Sequence, residues 1–128
     1  MAATAITPLV LTRNTFGTSV IAEFKAVASD GTNNVAYIDA EAYADQKILI
    51  LIRNAHATTV KDAYVLKGNG IQKPASDLTA ADIPAASASI IPIVVESGAY
   101  ANTTGTYAGK IVVKGESTDI QVAAVILP

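Results

Sequence analysis

The sequence predicts an all-β fold: an antiparallel β-sandwich or jelly-roll-like domain of about seven or eight strands, with an extended N-terminal arm. Three observations lead there. Apolar residues alternate or run in short blocks, and no long stretch shows the 3.6-residue period of an amphipathic helix. Clusters of Gly, Asn, Asp and Pro punctuate the chain at short spacing, as turns between strands require. Three runs are apolar along almost their whole length: Ile48-Leu49-Ile50-Leu51-Ile52, Ile90-Ile91-Pro92-Ile93-Val94-Val95 and Val122-Ala123-Ala124-Val125-Ile126-Leu127. Successive strand residues point to opposite faces, so such runs want cover on both sides. For the first run the far face is expected to lie under a loop such as residues 71–87, or under another protein.

Each element has a local reason. Residues 5–13 read as a strand whose early Pro8 places it at an edge or start. Thr18 to Val27 alternates, with Val20, Ala22, Phe24 and Ala26 opposed by Ile21, Glu23 and Lys25. Asp30-Gly31 and Asn33-Asn34 signal a turn. Val35 to Ile38 is a short strand. Asp39 to Asp45 reads either as one helical turn or as a loop through Asp45-Gln46 into the next strand. Lys47 to Arg53 is the central strand, followed by a turn at Asn54 to Ala57. Thr59 to Lys67 alternates again, and Gly68-Asn69-Gly70 supplies turn residues tolerant of positive φ. Residues 71–87 are irregular, with room for one short helix at Leu78 to Ile83. Ser89 to Glu96 is a strand in which Pro92 marks a bulge or an edge. Ser97 to Tyr100 turns the chain. Thr106 to Lys114 and Thr118 to Leu127 are the last strands, joined by Gly115-Glu116-Ser117.

The chain has 128 residues, which favours one domain: an arm or edge strand over 1–16 and a sandwich over 17–128. It contains no Cys, so neither a disulfide framework nor thiolate chemistry is available. Net charge is −2, from 9 basic and 11 acidic residues, without a basic stripe, so no nucleic-acid surface is expected. Charged residues make up 16%, against about a quarter in ordinary domains, which suits a protein that works docked to another. No apolar run approaches the ~18 residues of a membrane-spanning helix. The N-terminus lacks the basic region of a signal peptide.

Chemistry-bearing residues are few. His56 is the only histidine and falls in a turn, without a second His or a Cys to form a zinc site. Asp39, Glu41 and Asp45 offer carboxylates, but lack the ordered spacing and central Gly of a calcium loop. Glu96 and Glu116 are candidates for a glycosidase pair only if the fold brings them together. Gly68-Asn69-Gly70 follows a strand, yet no Lys-Ser/Thr helix opens after it, so it is not a phosphate-binding loop. Asn102-Thr103-Thr104 is a formal glycosylation sequon. Tyr100 and Tyr107 flank one loop and could stack on a sugar. No catalytic, cofactor-binding or metal-ligating residue is expected. The residues expected at a partner contact are Leu9, Leu11, Ile48, Ile50 and Ile52, together with Tyr100 and Tyr107.

Four stretches carry a resemblance. They are Thr7-Pro8-Leu9-Val10-Leu11; Lys47-Ile48-Leu49-Ile50-Leu51-Ile52-Arg53-Asn54; Leu66-Lys67-Gly68-Asn69-Gly70-Ile71-Gln72; and the C-terminal half, with Val95-Glu96-Ser97-Gly98, Gly109 to Gly115 and Thr118 to Pro128. In pattern the chain resembles small all-β decoration, or cement, proteins on the heads of tailed bacteriophages. The resemblance implies a non-enzymatic virion protein, made in the host cytoplasm, that binds the outer face of the capsid and stabilises it. It implies the major capsid protein as partner, a homo-oligomer with a trimer favoured, and no cofactor, nucleic acid or membrane. It also implies that the arm, with Leu9 and Leu11, lies on a neighbouring surface. Two other readings fit the residues: a carbohydrate- or receptor-binding sandwich, and a subunit of a strand-exchanged filament.

Overall fold

Short apolar runs between turn-forming residues become eleven strands in the computed structural model, which describes residues 3–43, 47–71 and 73–128. They are β1 (Thr4–Ile6), β2 (Leu9–Val10), β3 (Lys25–Ala26), β4 (Ala28–Ser29), β5 (Asn34–Asp39), β6 (Lys47–Asn54), β7 (Lys61–Val65), β8 (Leu78–Ile83), β9 (Ile91–Glu96), β10 (Lys110–Gly115) and β11 (Ile120–Ile126). One short helix, α1 (Ser97–Tyr100), and two 3₁₀ turns, Val20–Glu23 and Glu41–Tyr43, complete the set. The first sheet has the order β1-β5-β10-β7-β8, with β4 also on β5. The second has the order β2-β11-β6-β9, with β3 also on β11. The two pack together like a sandwich and do not close into a barrel.

Both sheets are mixed, not purely antiparallel. β1 runs parallel to β5 and β2 parallel to β11, while the other pairs are antiparallel. The strands beyond the expected seven or eight are mostly two- and three-residue pieces near the N-terminus. The expected strand over 5–13 is divided at Thr7-Pro8. Pro8 has no N–H to give a ladder, and there the chain passes from the first sheet to the second. It passes back between β3 and β4, through the buried Val27. The N-terminal segment thus laces the β5 edge of one sheet to the β11 edge of the other. Thr4 Oγ1 donates to the Ala26 carbonyl at 2.7 Å across this seam.

The main core lies between the sheets. Ile48, Ile50 and Ile52 of β6 point into it, at 0, 0 and 2% exposure, against Ile38, Ile111, Val113 and Ile120. Burying each such side chain contributes roughly 1.5–3 kcal/mol. These three isoleucines, expected at a partner contact, are therefore core residues, and Ile52 also lines the cleft between β8 and β9. The other face of β6 carries Leu49 and Leu51. With Ala123 and Val125 of β11 they form a second cluster, covered by Leu9, Leu11, Val20, Phe24 and Leu127. The N-terminal segment, not loop 71–87, supplies the cover that the doubly apolar strand needs. Arg53 extends it: the guanidinium lies 4.3 Å from the Phe24 ring centre, and Nε donates to Gln121 Oε1 at 2.7 Å.

Other departures have local causes. Thr18 to Val27 is not one strand, because Ser19 Oγ accepts from the Ile21 N–H at 3.3 Å and starts a 3₁₀ turn. Val20 at the start of the turn and Phe24 just after it both cover β6 and β11. Leu78 to Ile83 is strand β8, not a helix; it pairs with β7, and Asp82 N–H donates to Asp62 Oδ1 at 2.8 Å. Ser97 to Tyr100 forms a helical turn. Of the expected turn at Asp39 to Asp45, Glu41–Tyr43 is 3₁₀, while Asp45 and Gln46 lie outside the described residues. Gly68 does not use its freedom for positive φ. It is needed because a Cβ there would come within 2.5 Å of the Ala101 carbonyl oxygen.

Candidate functional site

The polar residues singled out in the sequence are mostly bonded into loops. His56 Nδ1 accepts from the N–H groups of Thr58 and Thr59, at 3.1 and 3.0 Å, and so shapes its own turn. Asn54, wholly buried, holds that turn to the rest of the fold. Its Nδ2 donates to the carbonyls of Thr59 and Ile83, 2.9 Å each, and its Oδ1 accepts from His56 N–H at 2.9 Å. Sequence reading missed Asn54 as a structural residue. The available signal was an amide side chain closing a fully apolar strand, since a buried amide must find partners.

Asp39 Oδ1 accepts from Glu41 N–H at 3.2 Å, and the Glu41 side chain lies over Gly109. Asp45 lies outside the described residues. Among the described residues, no three potential ligands come together as a metal group. Glu96 and Glu116 are not a pair. Glu96 ends β9 opposite Lys47, at the start of β6, whereas Glu116 lies at the other end of the sandwich, accepting from Asp62 N–H at 3.0 Å. Gly68-Asn69-Gly70 grips the chain's own loop: Asn69 Oδ1 accepts from Thr103 N–H at 2.7 Å, and Nδ2 donates to the Thr104 carbonyl at 3.1 Å. Asn102 Nδ2, the atom a glycan would take, donates to the Lys110 carbonyl at 3.1 Å.

The two tyrosines expected at a contact have separate settings. Tyr100 packs, half-buried, on the main core from α1. Tyr107 donates to Asp30 Oδ2 at 2.7 Å, and its ring lies 6.0 Å from Tyr37, tilted by 48°. Its hydroxyl is therefore bonded within the chain. Asp30 also accepts, through Oδ1, from the N–H groups of Thr32 and Asn33. The Asn33 bond, then the Tyr107 hydroxyl and the Thr32 bond, hold the Asp30 carboxyl at about 2. Burial first, then the bond to Asp30 and its charge, push Tyr107 up to about 12. Tyr37 and Tyr64 lie on the outer face of the first sheet, where Lys110 and Lys114 place their ammonium groups 5.6 and 5.5 Å from the ring centres. Those ring faces are partly roofed by the chain's own lysines.

Apolar surface remains at particular places. Leu9 and Leu11 are half-buried on the second cluster, with one side toward solvent. Near them Val10, Phe16 and Ile21 are exposed; Phe16 is at 103%, so its ring touches almost nothing. All three belong to the segment that laces the β11 edge. At the opposite edge of the same sheet Ile90 and Val94 are exposed, on and beside β9. Beside them, β8 and β9 part to form an apolar cleft of about 140 Å³. The remaining exposed large apolar residues are Val60 and Ile71. Comparison with family models, with curated proteins and with solved structures finds no match to this chain.

Proposed function

We propose that this chain is a non-enzymatic decoration protein that binds the outer surface of a bacteriophage head and stabilises it, working as a homo-oligomer with threefold symmetry favoured. The observation that carries the reading is the exposure of three apolar residues in the N-terminal segment, Val10, Phe16 and Ile21. Leaving a phenyl ring in water contributes nothing to the free fold, and neighbouring exposed apolar groups mark contact surfaces. Three further features support it. The far face of β6 is covered from within, so the contact belongs to the covering segment and not to the central strand. His56 and Asn69, among the candidate chemical groups, are bonded into turns. A low charge content leaves few ionic groups to desolvate on docking. On a shell, many weak apolar contacts act together, so a modest single affinity suffices.

The test is co-sedimentation of the purified chain with empty heads assembled from a tailed-bacteriophage major capsid protein. The reading predicts saturable binding at micromolar concentration, with symmetric extra density over the shell in electron cryo-microscopy. A chain that stays in the supernatant at every concentration contradicts it.

A further inference from the structure

The two lateral sides of the sandwich are unlike. One is closed by the N-terminal segment, which places β1 and β4 on β5 and β2 and β3 on β11. The other is open between β8 and β9, the far edges of the two sheets. The cleft there is lined by Ile52, Val65, Leu78, Ala80, Ile91 and Ile93, among others, and measures about 140 Å³. An apolar cavity of about 150 Å³ holds a benzene ring. The chain has two phenylalanines. Phe24 is packed under Arg53, whereas Phe16 is free. A Cβ on Gly17 would touch Leu11 and Leu9, which places the Phe16 loop at the β2 edge. β2 and β9 are the two edges of one sheet, three strand spacings apart, roughly 14 Å. Phe16 therefore cannot fill the cleft of its own chain without unlacing the fold.

We propose that a second copy of this chain is the occupant: Phe16 of one molecule enters the β8–β9 cleft of the next. The exposed apolar residues fit the same arrangement. Val10 and Ile21 lie in the donor segment with Phe16, and Ile90 and Val94 lie on and beside the acceptor edge β9. The contact joins two different surfaces, so it is head-to-tail and closes into a ring when the rotation permits. One aromatic ring buries 150–250 Å², roughly, against about 1,200 Å² for a stable interface. Self-association is therefore weak in free solution and strengthens when copies are held side by side. The contact needs only the chain's own surfaces, and a Phe16 engaged in it leaves the exposed Val10 and Ile21 to face the shell.

Because the chain lacks Cys, paired cysteines can report the contact directly. Thr15→Cys beside the ring and Thr79→Cys in the cleft wall are combined in one chain and exposed to a mild oxidant. A control chain combines Thr15→Cys with Thr118→Cys, on the turn before β11. The proposal predicts a ladder of disulfide-linked oligomers that forms at least tenfold faster in the first chain than in the control. It also predicts that adding Phe16→Ser, an exposed change checked for unaltered circular dichroism, removes that advantage. Equal rates in the two chains, or a ladder indifferent to Phe16→Ser, overturn it. Either result leaves shell binding by the unmodified chain to be judged by its own assay.

Discussion

Asp30 and Tyr107 are hydrogen-bonded to each other, and folding shifts the titration of both. The Asp30 carboxyl lies at about 2 in place of its usual 3.8, so its ionised form is favoured by folding. Its contribution is present above the ordinary carboxylate value and is lost as pH falls from about 4 to about 2. Tyr107 is raised to about 12 from 10.0, so its contribution is present below the ordinary phenol value and is lost as pH rises through about 12. Asp30→Ala is expected to flatten the fall in denaturation midpoint across the acid range. Tyr107→Phe should flatten it only in part, because the Asn33 N–H remains the larger cause. Equal acid sensitivity in wild type and Asp30→Ala would count against this origin. Asn54 is the other decisive residue. Asn54→Ala leaves the Thr59 and Ile83 carbonyls and the His56 N–H without their partner, at a cost of about 3 kcal/mol in urea unfolding. A loss within the scatter of surface substitutions would show that water replaces the amide freely.

At the scale of elements, β6 and its two covers carry most of the argument. Ile50→Ala, at the centre of the main core, is expected to cost 2–5 kcal/mol, roughly. Leu9→Ala, on the half-buried outer cluster, is expected to cost only about 1 kcal/mol. Similar losses in the two variants would mean that the outer cluster is a second full core. The loop between β8 and β9 carries backbone strain. Ala86 and Ser87 have φ of 60° and 55°, held by bonds from their N–H groups to the carbonyls of His56 and Asn54. Positive φ costs an alanine roughly 1–2 kcal/mol. Ala86→Gly is therefore expected to raise stability by up to about 1 kcal/mol, read as an upward shift in thermal midpoint; a clear fall would show the strain to be absent.

The central strands were legible because period and burial agree in them: Lys47 to Asn54 and Ile120 to Ile126 are apolar on both faces, and both lie inside covered sheets. Pro92 likewise announced an edge, and β9 is one. The N-terminal segment was harder to read. Its apolar residues alternate from Thr18 to Val27, yet Val20–Glu23 is a 3₁₀ turn, with Val20 and Phe24 packed on the outer cluster from its two ends. Crossing of the seam by Thr7-Pro8 is a tertiary event, and nothing in a two-residue strand signals its partner. The same holds for the proposed contact residues: Leu9 and Leu11 were visible as apolar, but exposure of Phe16 and Ile21 depends on which faces the fold had already filled. For the whole molecule, the result is a sandwich laced on one side and open on the other, with exposed apolar residues at both edges as well as at Val60 and Ile71. The direct test is shell binding by a chain carrying Val10→Ser, Phe16→Ser and Ile21→Ser together. The account predicts wild-type stability for this variant, within about 1 kcal/mol, and at least a tenfold loss of affinity for empty heads. Undiminished binding by a folded triple variant would contradict it.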